Sequence, residues 1–127
     1  MKKRNFNLLI VDDIIMNRIL LKEICSEFAG EVLEAQNGEQ AIEAIRSNKV
    51  DLIFMDIEMP VMNGLDATRY IRNEMDSPYR DIPIVALTAY NPADFFADHE
   101  KEGFDELLTK PYSIEKVINV LSSVDFI

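Results

Sequence analysis

Cysteine is almost missing from this chain. Cys25 stands alone, so no intramolecular disulfide can form and no cysteine zinc cluster can be assembled. Its distance from Leu21 and Phe28 puts it on the apolar side of a helix, as a small core residue rather than a redox group. Long hydrophobic runs are missing too: no stretch approaches the roughly 20 apolar residues of a membrane span. The basic opening Met1-Lys2-Lys3-Arg4-Asn5 leads only into Asn7-Leu8-Leu9-Ile10-Val11. That run is too short for a signal-peptide core, and no small-residue cleavage site follows. A cytoplasmic protein without a membrane partner is expected. Positive charge is also scarce, with 13 basic residues against 23 acidic ones and a net charge of −10. Such a surface repels nucleic-acid phosphates, which excludes direct nucleic-acid binding and points to protein partners and cations.

What is present is ordinary globular material, 48% hydrophobic and 28% charged, in 127 residues that suit one domain. No linker or low-complexity segment divides it, so a single domain over 1–127 is expected. Strand and helix patterns alternate. Leu8-Leu9-Ile10-Val11 is a continuous apolar run, as a strand covered on both faces should be. Leu20, Leu21, Ile24 and Phe28 then recur at helical spacing, and Glu31-Val32-Leu33-Glu34-Ala35 reads as a strand before the Asn37-Gly38 turn. A helix through Ala41, Ile42 and Ile45 precedes a strand over 51–55 and a Pro/Gly-punctuated loop from Glu58 to Gly64. Leu65, Thr68, Tyr70 and Ile71 mark a third helix, 82–87 a fourth strand and 93–101 a fourth helix. A short strand over 104–108 and a helix through Ile114, Val117, Ile118 and Leu121 complete the chain. Five βα units imply an α/β fold with a parallel sheet covered on both faces. The expected form is a flavodoxin-like, doubly wound (βα)5 with strand order 2-1-3-4-5, whose ligands bind beyond the carboxyl ends of strands one and three.

Both places hold carboxylates: Asp12-Asp13 after the first strand and Asp56 after the third. Like charges at close range oppose each other's ionisation, so the cluster calls for a positive partner. A divalent cation, Mg2+ or Mn2+, supplies two charges and Lys110 a third, which balances three carboxylates. Thr88, closing the fourth strand, adds a hydroxyl at the same edge. A carboxylate nucleophile, a metal, a cation and a hydroxyl donor are the parts that phosphoryl transfer uses. Singly each has a bland reading: a solvated turn, a loop lysine, a strand-end threonine. Their convergence at four strand ends favours a site.

Four blocks carry a family resemblance: Leu9-Ile10-Val11-Asp12-Asp13, the run from Met55-Asp56-Ile57-Glu58 through Met59-Pro60-Val61-Met62-Asn63-Gly64, Ala86-Leu87-Thr88-Ala89 and Leu108-Thr109-Lys110-Pro111. In order and spacing they resemble the response-regulator receiver domains of two-component phosphorelays. The second block, with Leu65-Asp66-Ala67-Thr68 after it, is most similar to receivers of hybrid sensor histidine kinases. The resemblance implies that Asp56 accepts a phosphoryl group from a histidine kinase or histidine-phosphotransfer protein and switches the binding of a downstream protein target. It implies that Asp13, Asp56 and the carbonyl of Glu58 ligate the metal while Asp12 acts through water. Lys110 would pair with Asp56 and then with phosphoryl oxygens, Thr88 would move to hydrogen-bond the phosphoryl group, and Lys110-Pro111 would be cis. Turnover beyond the domain's own phosphorylation and dephosphorylation is not expected. A weak dimer through the face of the fourth helix, fifth strand and last helix is.

The chain departs from the family pattern at two positions. Leu107 stands where many receivers carry an aromatic switch residue and is expected to pack, and Ile14 stands where a polar residue is frequent, with little effect expected. Glu58 and Tyr90 flank the acceptor, where the family tunes phosphoryl lifetime. His99 reads as a solvated helix residue, one of Phe95 and Phe96 as core and the other as surface, and Met59 and Met62 as core caps. Two other function classes share the fold class. An aspartate-nucleophile phosphatase of the haloacid dehalogenase type would place its nucleophile after the first strand in Asp-x-Asp, whereas Asp56 follows the third in Asp-Ile-Glu. A flavodoxin-like cofactor binder would need a phosphate loop where Asp12-Asp13 repels phosphate.

Overall fold

Successive side chains of a strand point to opposite faces of its sheet, and in this protein both sets are apolar. Leu9, Val11, Ile53, Met55, Ile84, Ala86 and Leu107 enter one core. Their neighbours Leu8, Ile10, Leu52, Phe54, Val85, Leu87 and Leu108 enter another. A sheet buried on both faces is the condition for parallel strands, which helices must cover on each side. The computed structural model describes residues 6–89 and 103–127. Its five strands are β1 (Asn7–Val11), β2 (Glu31–Ala35), β3 (Leu52–Asp56), β4 (Ile84–Thr88) and β5 (Glu106–Thr109). All pairings are parallel, in the order β2-β1-β3-β4-β5 that the βα alternation predicts.

The helices among the described residues are α1 (Ile15–Cys25), α2 (Gly38–Ser47), α3 (Gly64–Glu74) and α4 (Ile114–Ser123). Buried residues of α2 and α3 join the first core, and those of α1 and α4 the second. Asn37, Asn63 and Ser113 cap α2, α3 and α4, each accepting a backbone N–H from the first turn. Such a cap contributes about 1 kcal/mol. The helix expected over 93–101, with Phe95, Phe96 and His99, lies outside the described residues, as does Tyr90.

Several boundaries differ from the sequence reading. β4 begins at Ile84, because Ile82 closes a 3-10 turn over Tyr79–Asp81 through its N–H to the Tyr79 carbonyl. β5 begins at Glu106; the Asp105 carboxylate instead accepts the Ile84 amide and pairs with Arg72 at 2.9 Å. β3 runs one residue further than expected and takes in Asp56 itself. Leu20, expected on the buried stripe of α1, is exposed, whereas Leu21, Cys25 and Phe28 are buried. Ile114, expected on the inner stripe of the last helix, is also exposed. Met59 and Met62 join the first core as expected, and so does Leu107.

Cys25 is the small core residue that its spacing suggests, and burial pushes its thiol up to about 12. Almost no thiolate then exists near neutrality. A disulfide reagent at mildly alkaline pH should therefore leave the folded protein unmodified and titrate one thiol once guanidinium unfolds it. Rapid labelling of the native protein would contradict this packing.

Candidate active site at the carboxyl edge of the sheet

Parallel strands deliver their carboxyl ends to a common edge, and the register decides which residues meet there. Val11 lies opposite Met55, and Asp56 opposite Leu87. Asp12-Asp13, Asp56 and Thr88 therefore arrive side by side. The Lys110 amide donates to the Thr88 carbonyl at 2.8 Å, which places the lysine just past β5 at the same edge. An open cleft of about 470 Å3 results, lined by Asp13, Ile14, Asp56, Glu58, Thr88 and Lys110 among others.

The carboxylates of Asp12, Asp13 and Asp56 each bring an oxygen within 4.8 Å of the others. Asp12 is fully buried, Asp56 is 4% exposed, and Asp13 is open to solvent. The Lys110 ammonium stands 3.5 Å from Asp56. Burial, and next the Asp12 charge, push the Asp56 carboxyl up to about 6; Lys110 and the backbone amide of Glu58 pull the other way. One lysine thus offsets the cluster only in part. The donor set is all oxygen, acidic and partly open, which suits a hard divalent cation that keeps some of its water. Lys110-Pro111 is cis, as the resemblance implies.

Local backbone features hold this geometry. The Gly64 amide donates to the Ile57 carbonyl at 2.9 Å, and a Cβ on Gly64 would come within 2.0 Å of the Asp56 carbonyl oxygen. Only glycine fits there. Val61 turns the same loop at φ +71°, a left-handed conformation that costs a β-branched residue about 1 kcal/mol or more. Asp12 accepts the Ile14 amide at 2.9 Å and the Asn17 side-chain amide at 3.2 Å. Its main-chain carbonyl accepts from the Arg18 guanidinium at 2.7 Å. The Tyr112 hydroxyl is buried without a hydrogen-bond partner among the described residues, and burial followed by the charges of Asp12 and Asp56 raises its ionisation far above the usual phenol range. Gly64 closes the second block read from sequence, whereas Asn17, Arg18 and Tyr112 lie outside all four blocks. Asn17 could have been singled out, since one turn of helix brings it back over Asp12.

This constellation can be compared with known proteins. Residues 8–122 match the family model of the response regulator receiver domain. The chain belongs to that family. It is 32% identical over 116 residues to the CAI-1 autoinducer sensor kinase/phosphatase CqsS of Vibrio cholerae, covering 91% of this chain and 17% of CqsS. The chain thus spans a small part of that sensor kinase. The receiver domain of a sensor histidine kinase from Pseudomonas aeruginosa, solved with a magnesium ion coordinated in the active site cleft, superposes with a TM-score of 0.80 at 28% identity. That match covers 93% of this chain and 95% of the other. The receiver domain of Ssk1 from Saccharomyces cerevisiae, crystallised with the histidine phosphotransfer protein Ypd1, gives 0.81 at 26% identity, covering 96% and 90%. The chain is accordingly a phosphoacceptor receiver domain of two-component signalling, and these comparisons do not support the haloacid dehalogenase alternative.

The electrostatics of the site set its pH behaviour. The folded-state value of about 6 for Asp56 exceeds the ~3.9 of an unfolded chain, so the folded state holds this proton more tightly. The stability that protonation contributes is complete below about pH 4 and is lost as pH rises through about 6, on the order of 2–3 kcal/mol. Urea unfolding in the presence of a chelator should show this loss in the wild type between those limits. In Asp56→Asn the slope should flatten and the protein should be the more stable of the two at neutral pH.

Proposed function

We propose that Asp56 is the phosphoacceptor, that Asp13, Asp56 and the Glu58 carbonyl hold a Mg2+ ion, and that Asp12 acts on it through water. The observation that carries this reading is the placement of Asp56: a nearly buried carboxylate at the floor of the cleft, beside Lys110 and two further aspartates. A carboxylate oxygen of Asp56 attacks the phosphorus of a phosphohistidine. The new O–P bond forms as the P–N bond breaks, and the electron pair returns to the imidazole nitrogen. Lys110 keeps Asp56 ionised and then faces the added phosphoryl oxygens. Thr88, across the same cleft, offers its hydroxyl to them. The bound cation supplies neutralisation of the charge that builds on the transferring group. The domain catalyses its own phosphorylation and dephosphorylation, with Glu58 at the rim acting on phosphoryl lifetime.

The donor is a histidine kinase or histidine-phosphotransfer protein, and the cleft's surroundings support a protein in that role. Ile14 lines the cleft, and Ile14, Ile15, Met16, Ile19 and Leu20 form an exposed apolar surface running from it along α1, with Met16 66% exposed. A donor that inserts its phosphohistidine covers this rim, and burying apolar area stabilises the encounter by about 25 cal/mol per Å2. We assign the whole of 1–127 to a single receiver domain acting in the cytoplasm. Its output passes to a downstream protein, with weak self-association through the face of the helix expected over 93–101, β5 and the last helix, α4.

Incubation with acetyl phosphate and Mg2+ should add one phosphoryl group, labile to hydroxylamine, and neither Asp56→Asn nor chelated protein should carry it. Label retained in Asp56→Asn would refute the acceptor assignment. Asp13→Ala should lose the Mg2+-induced rise in melting temperature. Changing Ile15 and Met16 to serine should slow transfer from a phosphorylated histidine-phosphotransfer protein at least several-fold while leaving acetyl phosphate labelling intact. Equal slowing with both donors would place those residues in the chemistry and not in docking.

A further inference from the structure

Among the described residues, Arg18 is the one buried basic side chain, 7% exposed. Burying a guanidinium costs several kcal/mol unless its N–H groups are matched, so its partners indicate what it is for. Its Nε donates to Glu34 Oε1 on β2 at 3.0 Å, and one terminal nitrogen donates to the Asp12 carbonyl at 2.7 Å. Side chains on a helix point back toward its N-terminus. Arg18, in the first turns of α1, thereby reaches the segment that precedes the helix.

The carbonyl it holds belongs to the peptide joining Asp12 to Asp13. That unit is planar, so fixing its oxygen fixes the orientation of the amide and the position of the Asp13 Cα. The other polar groups of Asp12 are also engaged: its amide donates to the Ala35 carbonyl at 3.1 Å, and its carboxylate accepts from Ile14 and Asn17. The Arg18 contact is the shortest of the four and the only one in which the donor is a cation. Asp13, by contrast, is exposed. Its placement depends on the backbone that presents it.

We infer that Arg18 is a positioning residue for the cation site: its guanidinium orients the Asp12–Asp13 peptide and so sets where both aspartates meet Asp56. The fork geometry of arginine serves Glu34 and the carbonyl together, which a lysine ammonium on a flexible stem does less well. The ion pair with Glu34 is the part a purely structural clamp would need; the carbonyl contact is the part the site needs. Glu34→Gln separates them, because it removes the charge pair and leaves the carbonyl contact in place.

The inference rests on the proposed cation site, and the test distinguishes the two. Mg2+ titrations of wild type, Arg18→Met, Arg18→Lys and Glu34→Gln, followed by amide chemical shifts, are run beside urea unfolding of each. Arg18→Met should weaken Mg2+ binding on the order of tenfold, Arg18→Lys less, and Glu34→Gln by no more than about twofold. Glu34→Gln should nonetheless lose stability. Wild type that fails to bind Mg2+ at this edge overturns both readings. Wild-type binding with Arg18→Met unchanged, or with Glu34→Gln weakened as much as Arg18→Met, overturns the role of Arg18 alone. Should Arg18→Met not fold, Arg18→Lys decides: Mg2+ affinity equal to wild type refutes the inference.

Discussion

Three carboxylates at one edge of a parallel sheet are the constraint on which the rest of this structure depends. Asp12, Asp13 and Asp56 sit within 4.8 Å of one another, with two of the three out of water. Lys110 at 3.5 Å offsets part of that charge, and the raised ionisation of Asp56 registers what is left. A nearly buried carboxylate is thus held short of full neutralisation, at a cost in stability. The field that results favours positive charge at this edge.

Keeping like charges together demands a stiff frame, and the frame is mostly main chain. Gly64 lets α3 start against the Asp56 carbonyl, and Val61 accepts an unfavourable φ so that the loop turns in time. On the opposite side, α1 has no side-chain cap of its own, and the Asp12 carboxylate takes the Ile14 amide at its start. The helix and the acidic site are thus parts of one device. A carboxylate near a helix N-terminus is stabilised by its dipole, and this is one reason Asp12 tolerates full burial.

Sequence carried most of the fold, for definite reasons. Short apolar runs such as Leu8-Leu9-Ile10-Val11, alternating with helical stripes, fit doubly covered strands, and the cluster at the strand ends follows once the strand order is known. Misreadings came where two signals compete. Leu20 fits a helical stripe in spacing, yet the register of α1 on the sheet is set by Leu21 and Cys25, which turns Leu20 outward. Ile82 reads as strand, yet Pro83 offers no N–H and the preceding 3-10 turn claims the Ile82 amide. Nothing in composition or spacing marks Arg18; only the three-dimensional course of α1 shows it folded back onto the Asp12 carbonyl.

Leu107 makes a physical difference to how a signal could leave this site. It is buried in the core shared with α2 and α3, opposite Ala86. An aliphatic side chain held there gains nothing by moving to solvent, because exposing it forfeits about 2 kcal/mol of burial. Motion at the edge must then pass through main chain. The link exists: the Lys110 amide holds the Thr88 carbonyl at 2.8 Å, so the ends of β4 and β5 are tied directly above Leu107. Any displacement of Thr88 would be transmitted through that bond to the β5 end and to Lys110. The shared hydrogen bond thus joins the strand ends that carry Thr88 and Lys110, with a buried leucine in the layer beneath them.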